Sequence, residues 1–586
     1  MKRVTVVLAI IGAVAFFAAL AAVLFGFASW GMKSSVPSRT IVELDLEQGL
    51  IEVAPDDVVA RALGSRLTPL RDIVDGLERA AGDDRVKALI ARIGSGGIGM
   101  AQAQEIRDAV LAFRKSGKPA IAFGETFGEA GPGNVGYYVA SAFDQIYLQP
   151  SGDVGLHGLM LEGVFIKHTL EKLGVVARFD HRYEYKNAMN TFTEDKFTDP
   201  HREAMQAIVD SWYNQIVAGI AEGRKLPEPE VRSLIDRGPF LGQEAVRAHL
   251  VDGVAYRDEV YDKVREKAGK KAELLYVARY LDRAGRPHQR GETIALISGV
   301  GAVTRGKNSF DPLSQSASMG SDSVTAAFRE AIDDDDVRAI LFRVDSPGGS
   351  YVASDAIWRE TVRAREKGKP VVVSMGNLAG SGGYFVAMAA DKIVAQPGTI
   401  TGSIGVLGGK MVTTGMWDKI GITFDEVHRG EHATMFSSLS DYTPEEWQRH
   451  EDWLDRVYED FTRKVADGRK MPLARVLELA KGRIWSGEEA KRLGLVDELG
   501  GYAVALRLAK AAAKIGADEQ VDLRPYPAPK TIVQQILAGE PASSEDAARV
   551  ALARTMEQLK PAARVLGRLG ILDQPGELTM AVAPEP

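Results

Sequence analysis

VKALIARIGSGGIG (86–99) and VRAILFRVDSPGGS (337–350) are one stretch written twice, aligned without a gap at an offset of 251. Each begins as a short apolar run of strand composition and ends in a glycine-rich turn. Outward from this pair the register persists, so that GKP at 117–119 meets GKP at 368–370. The first copy then carries four extra residues, after which GYYVASAFDQIYLQP (136–150) meets GYFVAMAADKIVAQP (383–397) at an offset of 247. HRYE (181–184) still meets HRGE (428–431) at 247, while GRKLP (223–227) meets GRKMP (468–472) at 245. The two LVD triplets at 250–252 and 495–497 keep that last offset. Solenoid repeats run to roughly 20–50 residues, so a period this long is a duplicated domain.

Within each copy strands alternate with glycine-rich turns and helices: ALIARI, AIAFGE, AILFRV and VVVSMG read as strands, AQAQEIRDAVLAFRKSG as a helix. Such alternation predicts an α/β fold with right-handed crossovers. Long amphipathic helices follow, for example EEWQRHEDWLDRVYEDFTRKVADG (445–468). The proline and acidic residues of DPHREA (199–204) and TPEEW (443–447) are helix-start signals. The expected organisation is an N-terminal segment 1–35, a first repeat 40–280, a second repeat 292–515 and a loosely attached tail 521–586.

At 586 residues the chain is too long for one core. Its net charge of −7 provides no general basic face, which argues against nucleic acid as a partner. The absence of cysteine excludes disulfides, thiolate catalysis and cysteine zinc sites. Lys2 and Arg3 precede an uncharged apolar run, Val4–Met32, longer than the roughly 20 residues that span a bilayer. It reads as an uncleaved transmembrane anchor, with residues 4–32 in the lipid and the basic pair holding the N-terminus in the cytoplasm.

Copies of a duplicated domain diverge where one of them has specialised. Opposite Ser381 in GNLAGSGGYF (376–385) stands Asn134, and opposite Lys186 in YEYKNAMNTF (183–192) stands Ala433. One copy has the serine without the lysine, the other the lysine without the serine. This reciprocity points to one shared Ser–Lys site, in which a neutral lysine takes the proton of an otherwise poor nucleophile. The amine must then titrate well below its usual value of about 10.4, which burial achieves. Met189, Phe192 and Phe197 are the apolar neighbours expected to bury it. Acyl transfer also needs donors aimed at the developing oxyanion. The N–H groups of Gly349 and Gly382 are the candidates, and the other copy has Ile98 and Val135 in their places. Ser403 in TITGSIG (399–405) stands opposite Leu156, and its hydroxyl either holds the Lys186 amine or caps a turn.

SPGGS (346–350), AGSGGYF (379–385), PGTITGSIG (397–405) and YKNAMNTF (185–192), set in this repeat, resemble the long, two-repeat form of the bacterial serine-type signal peptide peptidases. These are relatives of the Clp protease and crotonase superfamily. The resemblance covers nearly all of the chain between the apolar N-terminus and the tail. It implies Ser381 as nucleophile, Lys186 as general base, Gly349 and Gly382 at the oxyanion hole, and Ser403 positioning the lysine. It further implies tandem Clp/crotonase-like domains built as spirals of ββα units, assembled as a bowl-shaped homotetramer. That assembly would face the periplasm from the bacterial inner membrane and take peptide substrates, above all remnant signal peptides, with no cofactor.

Other chemistries fit less well. Gly94, Gly96 and Gly99 spell GxGxxG after a strand, but the nearest acidic candidate, Glu125, lies farther on than the usual ~20 positions and the second copy lacks the pattern. No HExxH helix motif or Walker lysine loop is present, so neither a metal nor a nucleotide is expected. Two rival readings remain: a crotonase-type enzyme acting on acyl-CoA, and a catalytically idle membrane scaffold.

Overall fold

The computed structural model describes residues 35–53, 67–94, 96–129, 131–311 and 316–528. The apolar run 4–32 read as an anchor, and the tail beyond 528, lie outside the described residues. Among the described residues no helix is long and apolar enough to cross a membrane.

The first repeat contributes β1 (Thr40–Leu46), β2 (Val86–Ile93), β3 (Ala120–Gly124) and β4 (Gln145–Leu148). Next come β5 (Val176–His181), which leaves the sheet, then β6 (Gly253–Val254) and β7 (Glu273–Tyr276). They form a six-stranded sheet in the order β6-β4-β3-β2-β1-β7, parallel throughout. The second repeat repeats the plan with β8 (Glu292–Val300), β9 (Val337–Ser346), β10 (Val371–Gly380), β11 (Lys392–Ala395) and β12 (Ile400–Gly402). It continues with β13 (Leu407–Val412), β14 (Ile484–Ser486), β15 (Glu498–Leu499) and β16 (Val521–Pro525). The second sheet runs β14-β12-β10-β9-β8-β16, with β11 also on β10 and β15 on β11. Central strands such as β2 and β9 are apolar on both faces because helices cover both sides of a parallel sheet. The chain's start of tail is therefore not loose. Val521–Pro525 pairs in parallel with β8, as β7 pairs with β1, so the sheet extends past residue 515.

Residues shared by the copies hold this scaffold. The GKP lysines reach helix C-termini: Lys118 Nζ donates to the carbonyls of Ala80, Ala81 and Asp83 at the end of α1 (Leu70–Ala81). α2 (Met100–Arg114) and α3 (Asp199–Arg224) follow it in the first repeat, and the second opens with α4 (Ser321–Asp333). Lys369 Nζ caps the end of α4 through the carbonyls of Ala331 and Asp334. The aspartates of the LVD triplets accept from Ile146 N–H and Ile393 N–H, at 2.7 and 2.8 Å. α5 (Gly382–Ala387) and α6 (Pro444–Arg469) complete the set needed here. The start signals read in the sequence operate as such. Thr198 caps α3 ahead of Pro200, and Thr443 forms a capping box with Glu446 at the start of α6.

Many contacts join the repeats, and three of them set the site. β5 of the first pairs antiparallel with β13 of the second, Val176 opposite Val412 and His181 opposite Leu407. Trp212 Nε1 on α3 donates to the Gly398 carbonyl at 2.8 Å. Deepest is Arg343 on β9, fully buried, whose guanidinium donates to Glu52 at 2.7 Å, Glu105 of α2 at 3.0 Å and Ser374 at 2.8 Å.

Candidate active site

Ser381 sits at the sharp corner between β10 and α5, with φ 52° and ψ −117°. A non-glycine residue there costs about 1–3 kcal/mol and persists only when its surroundings fix it. They do: its N–H donates to the Gly402 carbonyl at 2.9 Å, and its own carbonyl accepts from Tyr384 and Phe385. Tyr384, next but two in the motif, is a scaffold residue, because its hydroxyl donates to the Leu495 carbonyl just as Tyr137 donates to Leu250 in the other copy.

Lys186 comes from the first repeat, on the loop that follows β5. The β5–β13 pairing carries that loop over the second repeat, where Tyr185 N–H donates to the Lys481 carbonyl at 3.1 Å. The ammonium end then lies 3.0 Å from Ser381 Oγ, 3.0 Å from Ser403 Oγ and 2.8 Å from the Ser403 carbonyl. Ser403 is held in the left-handed region at φ 50°, its N–H bonded to the Arg483 carbonyl. Lys186 is only 4% exposed. Burial, with no carboxylate to oppose it, lowers its pKa to about 7 from an ordinary 10.5.

The turn after β9 brings the second glycine-rich motif against the serine. Gly348 adopts φ 103°, and a Cβ there would lie 2.6 Å from Gly382 N and 2.7 Å from Ser381 Cβ, so the two turns touch. The bonds that fix this corner run through neighbouring amides, Ser350 N–H to Val303 and Val303 N–H to Gly348. The amides of Gly349 and Gly382 stand together beside Ser381, since a Cβ at Gly382 would lie 3.1 Å from Gly349 N. All five residues singled out from the sequence therefore meet in one place. Their counterparts do not: Asn134 Nδ2 donates to the Gly158 carbonyl, Leu156 is buried in the core, and Ala433 is exposed in a turn.

Two details differ from expectation. Phe192 stacks on Phe179 and Phe197 packs edge-on to Phe165 and His201, whereas the lysine is enclosed by Gly482 and Gly405 of the second repeat. A Cβ at Gly482 would lie 2.5 Å from Lys186 N, and one at Gly405 would lie 3.4 Å from Lys186 Cδ. Aromatic bulk is the wrong tool at a junction where two backbones must meet. The segment 481–483, which bonds Tyr185, Ile404 and Ser403 at once, was not singled out from the sequence. Its signal was there, since Arg237 stands opposite Gly482 at the offset of 245.

A strained serine with a buried amine on its hydroxyl therefore stands where the two repeats of a duplicated α/β scaffold meet. Peptidase family S49 matches residues 112–271 and 363–516. Protease 4 of Salmonella typhi is 32% identical over 520 residues, covering 84% of this chain and 82% of that protein. Protease 4 of Haemophilus influenzae is 31% identical over 458 residues, covering 75% and 72%. The chloroplastic serine protease SPPA of Arabidopsis thaliana is 30% identical over 479 residues, covering 80% and 69%. The chain belongs to peptidase family S49, as a two-repeat serine endopeptidase of the signal peptide peptidase type.

Proposed function

We propose that this endopeptidase works through a Ser381–Lys186 dyad, anchored in the bacterial inner membrane by residues 4–32, on apolar extended peptides such as remnant signal peptides. The observation that carries the reading is the buried, uncompensated Lys186 amine 3.0 Å from Ser381 Oγ. Ser381 Oγ attacks the scissile carbonyl while Lys186 Nζ takes its proton. The amides of Gly349 and Gly382 donate two hydrogen bonds to the oxyanion. Lys186 returns the proton to the leaving amine, and water, deprotonated by the same amine, releases the acyl group from Ser381. Ser403 orients the amine through its hydroxyl and carbonyl. The test is hydrolysis of a quenched apolar peptide between pH 5 and 10 by wild type, Ser381→Ala, Lys186→Ala and Lys186→Arg. Wild-type activity should rise through about pH 7, because the base must be neutral. Each variant should lose at least about 10²–10⁴-fold, the arginine included because it keeps its proton. Undiminished turnover by any of them sinks the dyad.

The internal join supports head-to-tail assembly into a homotetramer. At the offset of 247, residues 160–165 are the counterpart of β13 and residues 423–428 the counterpart of β5. Both run outside any strand pairing and carry bare apolar side chains, Met160 71%, Val164 64%, Phe424 52% and Val427 104% exposed. Laying 423–428 of one copy along 160–165 of the next repeats the β5–β13 join between chains, a heterologous contact that closes into a ring. Val164→Asp with Val427→Asp should reduce the detergent-solubilised particle to single chains, and an unchanged mass would refute this contact.

A further inference from the structure

The pairing of β9 with β10 contains an irregularity the dyad does not explain. Val344 lies opposite Met375, yet Ser346, two residues later, lies opposite Ala379, four residues later. The surplus residues of β10 bulge out opposite Asp345. At the bulge β10 also changes partner, from β11 for residues 372–374 to β12 for residues 378–380, and the next residue is Ser381. Asp345 Oδ1 accepts the Leu378 N–H at 2.9 Å, and the carboxylate also takes the Asn377 N–H. Gly376 lies so close that a Cβ there would be 2.9 Å from Asp345 Cβ and Cγ. The outer side of the bulge leans on the first repeat, where Asn377 Oδ1 accepts the Gln102 N–H at the start of α2. In the first repeat the position of Asp345 is held by Gly94, in the copy that also lacks the serine.

We infer that Asp345 is a positioning residue for catalysis: its half-buried carboxylate clamps the bulge in the nucleophile strand, setting Ser381 in register with the Gly348–Gly349 turn that grows from its own strand. The inference rests on the dyad reading above. Asp345 connects the two halves of the site along the chain, being four residues before Gly349 and bonded to the segment three residues before Ser381. The charged groups acting on it are Glu52 after β1 and Arg343 on its own strand, whose guanidinium also bonds Glu105 of α2 and lies against the Tyr502 ring at 4.5 Å. One cation thus faces three carboxylates in a buried space. Burial first, and Glu52 second, raise the Asp345 pKa to about 7. The ionised form accepts both amides with full strength, so Asp345 and Lys186 lose their protons over the same interval.

The test uses the full chain in detergent with Asp345→Asn, which places an amide donor among the two amide hydrogens, and Gly376→Ala, which displaces the carboxylate from the other side. Both should lower kcat about 10²-fold, as small misplacements of a reacting group do, with KM within about threefold. Labelling of Ser381 by a fluorophosphonate should slow in parallel. The acid limb of log kcat against pH should need two deprotonations in wild type and one in Asp345→Asn. Wild-type kcat in both variants overturns the inference, as does a loss that tracks thermal destabilisation while the acid limb keeps its wild-type steepness. Amide hydrogen exchange at Asn377 and Leu378 reads the clamp without chemistry. It should quicken in Asp345→Asn while 371–375 stays protected, and unchanged exchange overturns the clamp. If the wild-type protein is not labelled at all, the dyad reading has failed, and exchange alone still decides this one.

Discussion

Lys186 is a costly residue to keep. A group whose pKa falls on folding is proton-poor in the native state, so the unfolded chain gains by binding the proton. With the folded value at about 7 and the ordinary one at 10.5, the penalty is full at and below pH 7. It shrinks as pH rises towards 10.5 and is gone above it. Its size is roughly 4–5 kcal/mol by linkage. Lys186→Met should therefore raise the urea midpoint at pH 7 and lose that advantage by about pH 10.5. A midpoint gain that is the same at both pH values would mean the amine is not held neutral. The two strained serines belong to the same pattern, since Ser381 and Ser403 both sit at positive φ and both touch the amine. Stability is given up where the chemistry is done.

The elements show what precision the site demands. The lysine loop is set by β5 on β13, by the backbone of 481–483 and by Gly482 at φ 83°. Gly482→Ala would put a methyl 2.5–2.7 Å from the Lys186 backbone. It should cut kcat about 10²-fold through misplacement of the base. Wild-type turnover in this variant, read in the peptide assay, would show that the junction tolerates movement. This scale also marks how far the sequence could be read. Strands, turns, helix caps and the five site residues were legible because each leaves a local signature or a mismatch between copies. The enclosure of Lys186 by glycine, the bulge opposite Asp345 and the pairing of β5 with β13 were not. They arise from contacts between segments 33 residues apart at the bulge and more than two hundred apart at the other two, where small residues matter for the space they leave. Strand β16 escaped for a related reason, because VDLRP (521–525) is too short and mixed to stand out without its partner β8.

At the scale of the whole molecule, the proposed catalytic pair is shared between two domains, so on that reading they must dock to function. Arg343 is the polar centre of that docking. Arg343→Met would leave Glu52 and Glu105 buried without their cation, and losing one partner of a buried pair costs about 3–5 kcal/mol. The loss should appear as a lower thermal midpoint together with lower activity, and an unchanged midpoint would mean the interface does not depend on it. Because Ser381 and Lys186 meet within one chain, mixing Ser381→Ala with Lys186→Ala protein should restore no activity. Recovery in the mixture would mean that chains exchange repeats.

The Lys186–Ser381 bond closes over 195 residues of chain, and this gives the protein a timetable. During synthesis Lys186 is made first and Ser381 long afterwards, so on the dyad reading the growing polypeptide stays inert until both are in place. Competence arrives only when the second half has folded onto the first. A protein severed between residues 280 and 292 should likewise yield two harmless fragments whose activity returns on reassociation. A hydrolase built in this order is kept from cutting before it is complete.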